Sequence, residues 1–226
     1  SVRVLQSDGA TVSFSPATLA PREALVPPAE LFSIKRMQQD IAFLADASLT
    51  GRGLGTPQLA RAADYIAQQF AAAGLQPGGD NGSYYQAWQQ QVDALGASVT
   101  LKNVVAVLPG SDPHYERQSL VIAAHYDHMG LGEVSGRHEN RGIIHPGADD
   151  NASGVAVMLE LARSLKGKSL PRTLVFDAFT GEETGLLGSR HYVQQSAPNP
   201  SDGIFALLNL DTVGRLGERP LTLFGT

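Results

Sequence analysis

The chain has 226 residues, of which 42% are hydrophobic and 17% charged, the proportions of a folded protein long enough to bury one α/β core. A net charge of −5 with no cluster of Lys and Arg excludes the dense positive stripe that nucleic acid requires, so no nucleic-acid partner is expected. The absence of cysteine excludes disulfides, Cys-based zinc sites and a thiol nucleophile, leaving His and carboxylates to hold any transition metal.

In chain order, residues 1–30 carry a short alternating piece, Ala10 to Phe14, and then Pro16, Pro21, Pro27 and Pro28; they read as an N-terminal arm or linker. Residues 31–226 read as one domain. Leu31, Ile34, Met37, Ile41 and Leu44 recur at three or four, which predicts an amphipathic helix. A second helix is punctuated at both ends, with Thr56 as cap, Pro57 in the first turn, Leu59, Ile66 and Phe70 on the buried face, and Gly74 as terminator. Tyr84 to Gln91 and Ser98 to Leu108 read as strands able to pair antiparallel.

The second half changes character. Continuous apolar runs at Leu120 to Ala124, Thr173 to Phe179 and Ile204 to Leu210 alternate with helical patterns such as Val155 to Leu165. That alternation predicts strands buried on both faces in a parallel sheet. The fold class is therefore α/β, a three-layer helix-sheet-helix arrangement around a mixed, largely parallel central sheet. No run approaches the roughly 18 apolar residues of a membrane span.

Each apolar run ends in acidic or imidazole side chains: His125-Tyr126-Asp127, then Gly181-Glu182-Glu183, then Asp211. In an open parallel sheet those ends share one crevice, where ligands bind. Gly147-Ala148-Asp149-Asp150-Asn151, just before a helix, adds two carboxylates. Carboxylates so crowded raise one another's pKa unless a cation neutralises them. One imidazole with several carboxylates suits zinc, manganese or cobalt; calcium wants more oxygens and structural zinc wants Cys, which makes zinc the first choice. Each motif alone reads equally well as an N-cap or a loop-end polar group, and it is their coincidence that points to a metal.

At these residues the sequence resembles the M28 family of zinc peptidases. The resemblance rests on His125-Tyr126-Asp127-His128, Gly147-Ala148-Asp149-Asp150-Asn151-Ala152-Ser153-Gly154, Gly181-Glu182-Glu183-Thr184-Gly185-Leu186-Leu187-Gly188-Ser189 and Asn209-Leu210-Asp211, in that order, and runs from about Leu31 to the last residue. It implies a zinc exopeptidase, foremost an aminopeptidase acting on peptides, with two zinc ions in the complete domain. In that scheme His125, Asp150, Glu183 and Asp211 are metal ligands, with Asp150 bridging. Glu182 is the general base, and Asp127 holds the tautomer of His125. The family's further histidine ligand is not found in this chain. The resemblance thus implies a fold incomplete at its C-terminal end, the remainder coming from further chain or from a second chain. It also implies a secreted or periplasmic location, which the lack of cysteine and an opening at Ser1 rather than Met accommodate.

Other polar residues take plainer readings. His128 and Asp149 flank ligands and stay outside the metal set, while His138 and His145 read as solvated loop residues. His114 and His191 are expected to be exposed. Ser153 is expected to cap the helix that follows, and Gly181, Gly185 and Gly188 to serve tight turns and close packing. Two rival functions accompany the peptidase reading. One is a glutaminyl cyclase relative with a single zinc, against which the His125 motif argues. The other is a binding or scaffold domain whose ligand set is incomplete.

Overall fold

The computed structural model describes residues 2–5, 11–14, 31–115, 118–132, 141–196, 203–215, 217 and 222–224. Strands β1 (Val2–Leu5) and β2 (Thr11–Phe14) lie within the N-terminal arm and pair antiparallel. Helix α1 (Ile34–Leu44) begins where Ser33 accepts the Arg36 amide, and only the C-terminal half of its apolar stripe turns inward, with Leu44 buried and Ile41 half-buried against the core. Leu31 and Ile34 are exposed, whereas Asp40 is buried. The reason is electrostatic. Glu160 of the facing helix takes the Ser33 amide and the Arg36 guanidinium, and Asp40 takes both Arg163 terminal nitrogens and the Tyr65 hydroxyl. A satisfied ion network thus shares the inward side of α1 with Ile41 and Leu44.

Helix α2 (Pro57–Ala72) follows its sequence signals. Thr56 Oγ1 accepts the Leu59 amide at 3.1 Å, Leu59, Ile66 and Phe70 are buried, and Gly74 takes the left-handed conformation at φ +81°. Short strand β3 (Gln76–Pro77) and strand β4 (Tyr85–Val92) both pair antiparallel with β5 (Ala97–Leu108), so the expected antiparallel neighbours are realised as a hairpin.

Strand β6 (Ser119–His125), helix α3 (Gly154–Ser164), strand β7 (Thr173–Phe179), helix α4 (Leu187–Ser196) and strand β8 (Ile204–Asn209) follow in chain order, and β9 (Thr222–Phe224) runs parallel to β1. The main sheet has the order β3-β5-β7-β6-β8, with β4 also on β5. It is mixed as expected: β7, β6 and β8 are parallel, and β5 joins β7 antiparallel. Helices α2 and α3 pack on one face over a core that includes Ile66, Phe70, Val155, Leu159 and Phe176. The opposite face gathers Val105, Val121, Val175 and Phe179 under Tyr192 of α4. Because β6, β7 and β8 are parallel, their carboxyl ends reach the same edge. The three acid-bearing motifs leave the sheet there.

Candidate metal centre

His125 is the last residue of β6, and its buried ring is surrounded by oxygen. Nδ1 lies 3.2 Å from the Asp127 carbonyl and 3.7 Å from its carboxylate, while Nε2 lies 3.2 Å from Asp150 Oδ1 and 3.6 Å from Asp211 Oδ1. Burial disfavours the imidazolium, yet hydrogen bonds to Asp127 and Asp150 outweigh it and push His125 up to about 10. Asp150 is lowered in turn, first by its bond to His125.

The Asp127 carboxylate, buried like His125, accepts the amides of Glu182 at 3.1 Å and Glu183 at 3.4 Å. It therefore ties the end of β6 to the turn after β7 and stands behind the carbonyl that is closer to His125. That turn needs Gly181 at φ +68°, where a Cβ would meet the Leu187 side chain at 2.9 Å. Glu182 is raised, first by burial and then by the neighbouring charges of Glu183, Asp127 and Asp211, with His125 opposing. A carboxyl so placed holds a proton more readily than an ordinary glutamate.

Asp150 comes from a wide helical turn, Ala148–Ser153, entered through Gly147 at φ +60°. The turn is held against the chain that follows β8. Asn151, fully buried, donates from Nδ2 to the Leu210 carbonyl at 2.9 Å, and its Oδ1 accepts the amides of Gly154 and Thr212. Asp149 Oδ1 accepts the Gly214 amide at 2.8 Å. Ser153 does not cap α3: its hydroxyl donates to the Asp149 carbonyl and accepts the Val213 amide, and Asn151 supplies the cap instead. These bonds bring Asp211 beside Asp150 and His125.

Two groups of donors result. His125, Asp150 and Asp211 form one, and His128, Asp150 and Glu183 the other; within each, one ligand atom per residue lies within 4.8 Å of the rest. All four residues expected to bind metal are brought together, with Asp150 common to both groups. The chemistry of the set, imidazole and carboxylate with no thiol, fits a hard or borderline divalent ion. His128 was not among the expected ligands. It is buried, with Nδ1 2.6 Å from Glu183 Oε1, and its sequence signal is its place at the end of the His125-Tyr126-Asp127-His128 motif, just beyond β6. His145 is half-buried, His114 is exposed and packs edge-on to Tyr115, and His138 lies outside the described residues. His191 departs from expectation, for its ring stacks on Trp88 at 4.0 Å and is lowered by burial.

A cavity of about 210 Å³ opens beside the first group. His125, Glu182 and Asp211 line its polar end, and Phe179, Leu186 and Leu207 form an apolar wall.

The sequence profile of Peptidase family M28 matches residues 103–226, the stretch that contains every one of these donors. The chain belongs to peptidase family M28. Among curated proteins, this M28 chain is 43% identical over 117 residues to a probable zinc metalloprotease of Pyrenophora teres f. teres (strain 0-1), covering 51% of the chain and 23% of that protein. It is 38% identical over 103 residues to aminopeptidase YwaD of Bacillus subtilis (strain 168), covering 46% of the chain and 20% of that protein. The M28 chain thus spans only about a fifth of the length of these two relatives. Among solved structures it resembles Porphyromonas gingivalis glutaminyl cyclase, with a TM-score of 0.64, 22% identity, and coverage of 82% of this chain and 63% of that one. At that identity the likeness is one of fold.

Proposed function

We propose that this M28 chain carries the centre of a zinc aminopeptidase, which hydrolyses the first peptide bond of a peptide. The observation that carries the reading is the position of Asp150, shared between the His125/Asp211 and His128/Glu183 groups. In this reading His125, Asp150, Glu183 and Asp211 would hold zinc, with Asp150 common to both donor groups. A divalent metal supplies Lewis acidity, which polarises a carbonyl and makes water easier to deprotonate.

The chain's own residues supply the rest. Glu182, raised by burial and by its acidic neighbours, takes a proton from the attacking water and returns it to the leaving amine. Asp127 fixes the backbone that presents Glu182 and Glu183, through the amides it accepts. The acidic lining attracts the free ammonium of a peptide, and the wall of Phe179, Leu186 and Leu207 favours an apolar first side chain. The rival cyclase activity finds support in fold likeness alone, whereas a carboxylate common to two donor groups favours the two-metal arrangement.

The test uses the full natural protein, loaded with zinc, on aminoacyl anilides. Leucyl substrate should be cleaved in preference to lysyl, N-acetylation should abolish cleavage, and Glu182→Gln should lower kcat by about 10² to 10⁴. A Glu182→Gln protein of undiminished kcat rules out the mechanism. One zinc per chain together with cyclisation of N-terminal glutamine would establish the cyclase instead.

A further inference from the structure

Arg52 is fully buried, yet no carboxylate among the described residues forms an ion pair with it. Among the described residues its side-chain hydrogen bonds all go to carbonyls. Nε donates to Tyr126 at 2.8 Å, Nη1 to Leu44 and to Pro146 at 2.8 Å, and Nη2 to Gly147 at 2.9 Å. The planar fork therefore joins three segments: the end of α1, the end of β6 that carries His125, Asp127 and His128, and the entry to the turn that carries Asp150. The backbone repeats the connection, with the His128 amide donating to the Arg52 carbonyl and the Gly130 amide to that of Gly51.

The local chain is shaped for this contact. Thr50, Gly51 and Arg52 all have positive φ, and a Cβ on Gly51 would meet the His145 carbonyl at 2.4 Å. A Cβ on Gly147 would meet Arg52 Nη2 at 2.6 Å and His128 Cδ2 at 2.7 Å. Burial draws the guanidinium down to about 10, with Asp127, Asp150 and Glu183 pulling the other way, so Arg52 is charged at neutral pH. A buried cation with no directly bonded anion is costly unless its surroundings compensate. Here four carbonyls solvate it, and the acidic cluster behind them supplies the field.

We infer that Arg52 is a positioning residue that pre-forms the metal centre, fixing the strand end with His125 against the turn with Asp150 before any ion binds. The inference rests on the metal reading above, and it assigns Arg52 no contact with metal or substrate. Two effects of Arg52 oppose each other. Its charge repels an incoming cation, while its fork spares the ion the cost of assembling the ligands. Positioning requires the second effect to win.

Two measurements on the intact chain decide this. In zinc-free wild-type protein the amides of His128, Gly130 and Ala152 should be as protected from hydrogen exchange as in zinc-loaded protein. If they become protected only with zinc, the ion does the ordering and the inference falls. Arg52→Lys keeps the charge but cannot span the four carbonyls, and zinc affinity measured against a chromogenic chelator should fall by about tenfold or more. A folded Arg52→Lys with wild-type affinity, or a folded Arg52→Gln that binds zinc more tightly than wild type, overturns it. If neither variant folds, the exchange measurement decides alone. Wild-type protein that takes up no zinc would defeat the metal reading, which separates that failure from a failure of Arg52 as organiser.

Discussion

His128 Nδ1 lies 2.6 Å from Glu183 Oε1, which joins the loop after β6 to the turn after β7 at the second donor group. Removing the imidazole leaves Glu183 free to swing from Asp150. His128→Ala should therefore weaken zinc at one of two positions by about 10- to 100-fold while the His125 position keeps its affinity. Zinc titration against a chelator should resolve two unequal sites in the variant. Two sites of unchanged affinity would remove His128 from the centre.

Asn151 links three backbone groups on two loops, and none of its polar side-chain atoms is replaceable by an apolar group of similar shape. Asn151→Ala strands the Leu210 carbonyl and the Thr212 amide, while the Gly154 amide keeps its bond to the carbonyl of residue 151, a loss of about 2 to 4 kcal/mol. Thermal unfolding of the zinc-free variant should show Tm lowered by roughly 5–10 °C. Zinc binding at the His125 group should weaken as well, because Asp211 follows Leu210. A variant with wild-type Tm would show that the two loops are held by other contacts.

The donors on this edge are legible in the sequence because chemistry and fold mark the same residues: apolar strands that stop abruptly at His125, Glu182 and Asp211. The groups that arrange them are less legible. Arg52 is one arginine among polar loop residues, and its partners are carbonyls, which leave no pattern in side-chain identity. Ser153 misleads because the chain is already helical there, at φ −64° and ψ −48°, so a residue two places earlier does the capping. On α1 the apolar spacing marks the inward side at Ile41 and Leu44 but not its N-terminal half, where Leu31 and Ile34 are exposed and the ion network of Arg36, Asp40, Glu160 and Arg163 makes the contact. The period of a helix tells which residues share a side, and tertiary pairing decides which side turns inward.

Strand β8 pairs only with β6 among the described residues, and its exposed Phe205, Leu207 and Leu208 flank a free edge. Unpaired edges with apolar side chains template strand addition. The isolated 226-residue chain should therefore self-associate as concentration rises, and Leu208→Lys, away from the cavity, should shift sedimentation towards monomer. Identical concentration dependence in the two proteins would show that another surface drives association.

Asp177 is fully buried on β7, and neither carboxylate oxygen has a hydrogen-bond partner among the described residues. It shares a face with Val175 and Phe179 and aligns with Val105 of β5 and Ala123 of β6, all apolar. Burial raises it well above the ordinary range, so the folded state keeps the proton while the unfolded chain releases it near pH 4. The sign follows from proton counting. Below about pH 4 both states are protonated and the group has no pH-dependent effect; above it the unfolded state binds fewer protons. Stability is lost as pH rises towards the folded pKa. Asp177→Asn removes that dependence at nearly constant volume. In zinc-free protein the variant should gain Tm on wild type as pH rises above about 4. Parallel curves over that range would mean that Asp177 is ionised in the fold and balanced by a partner.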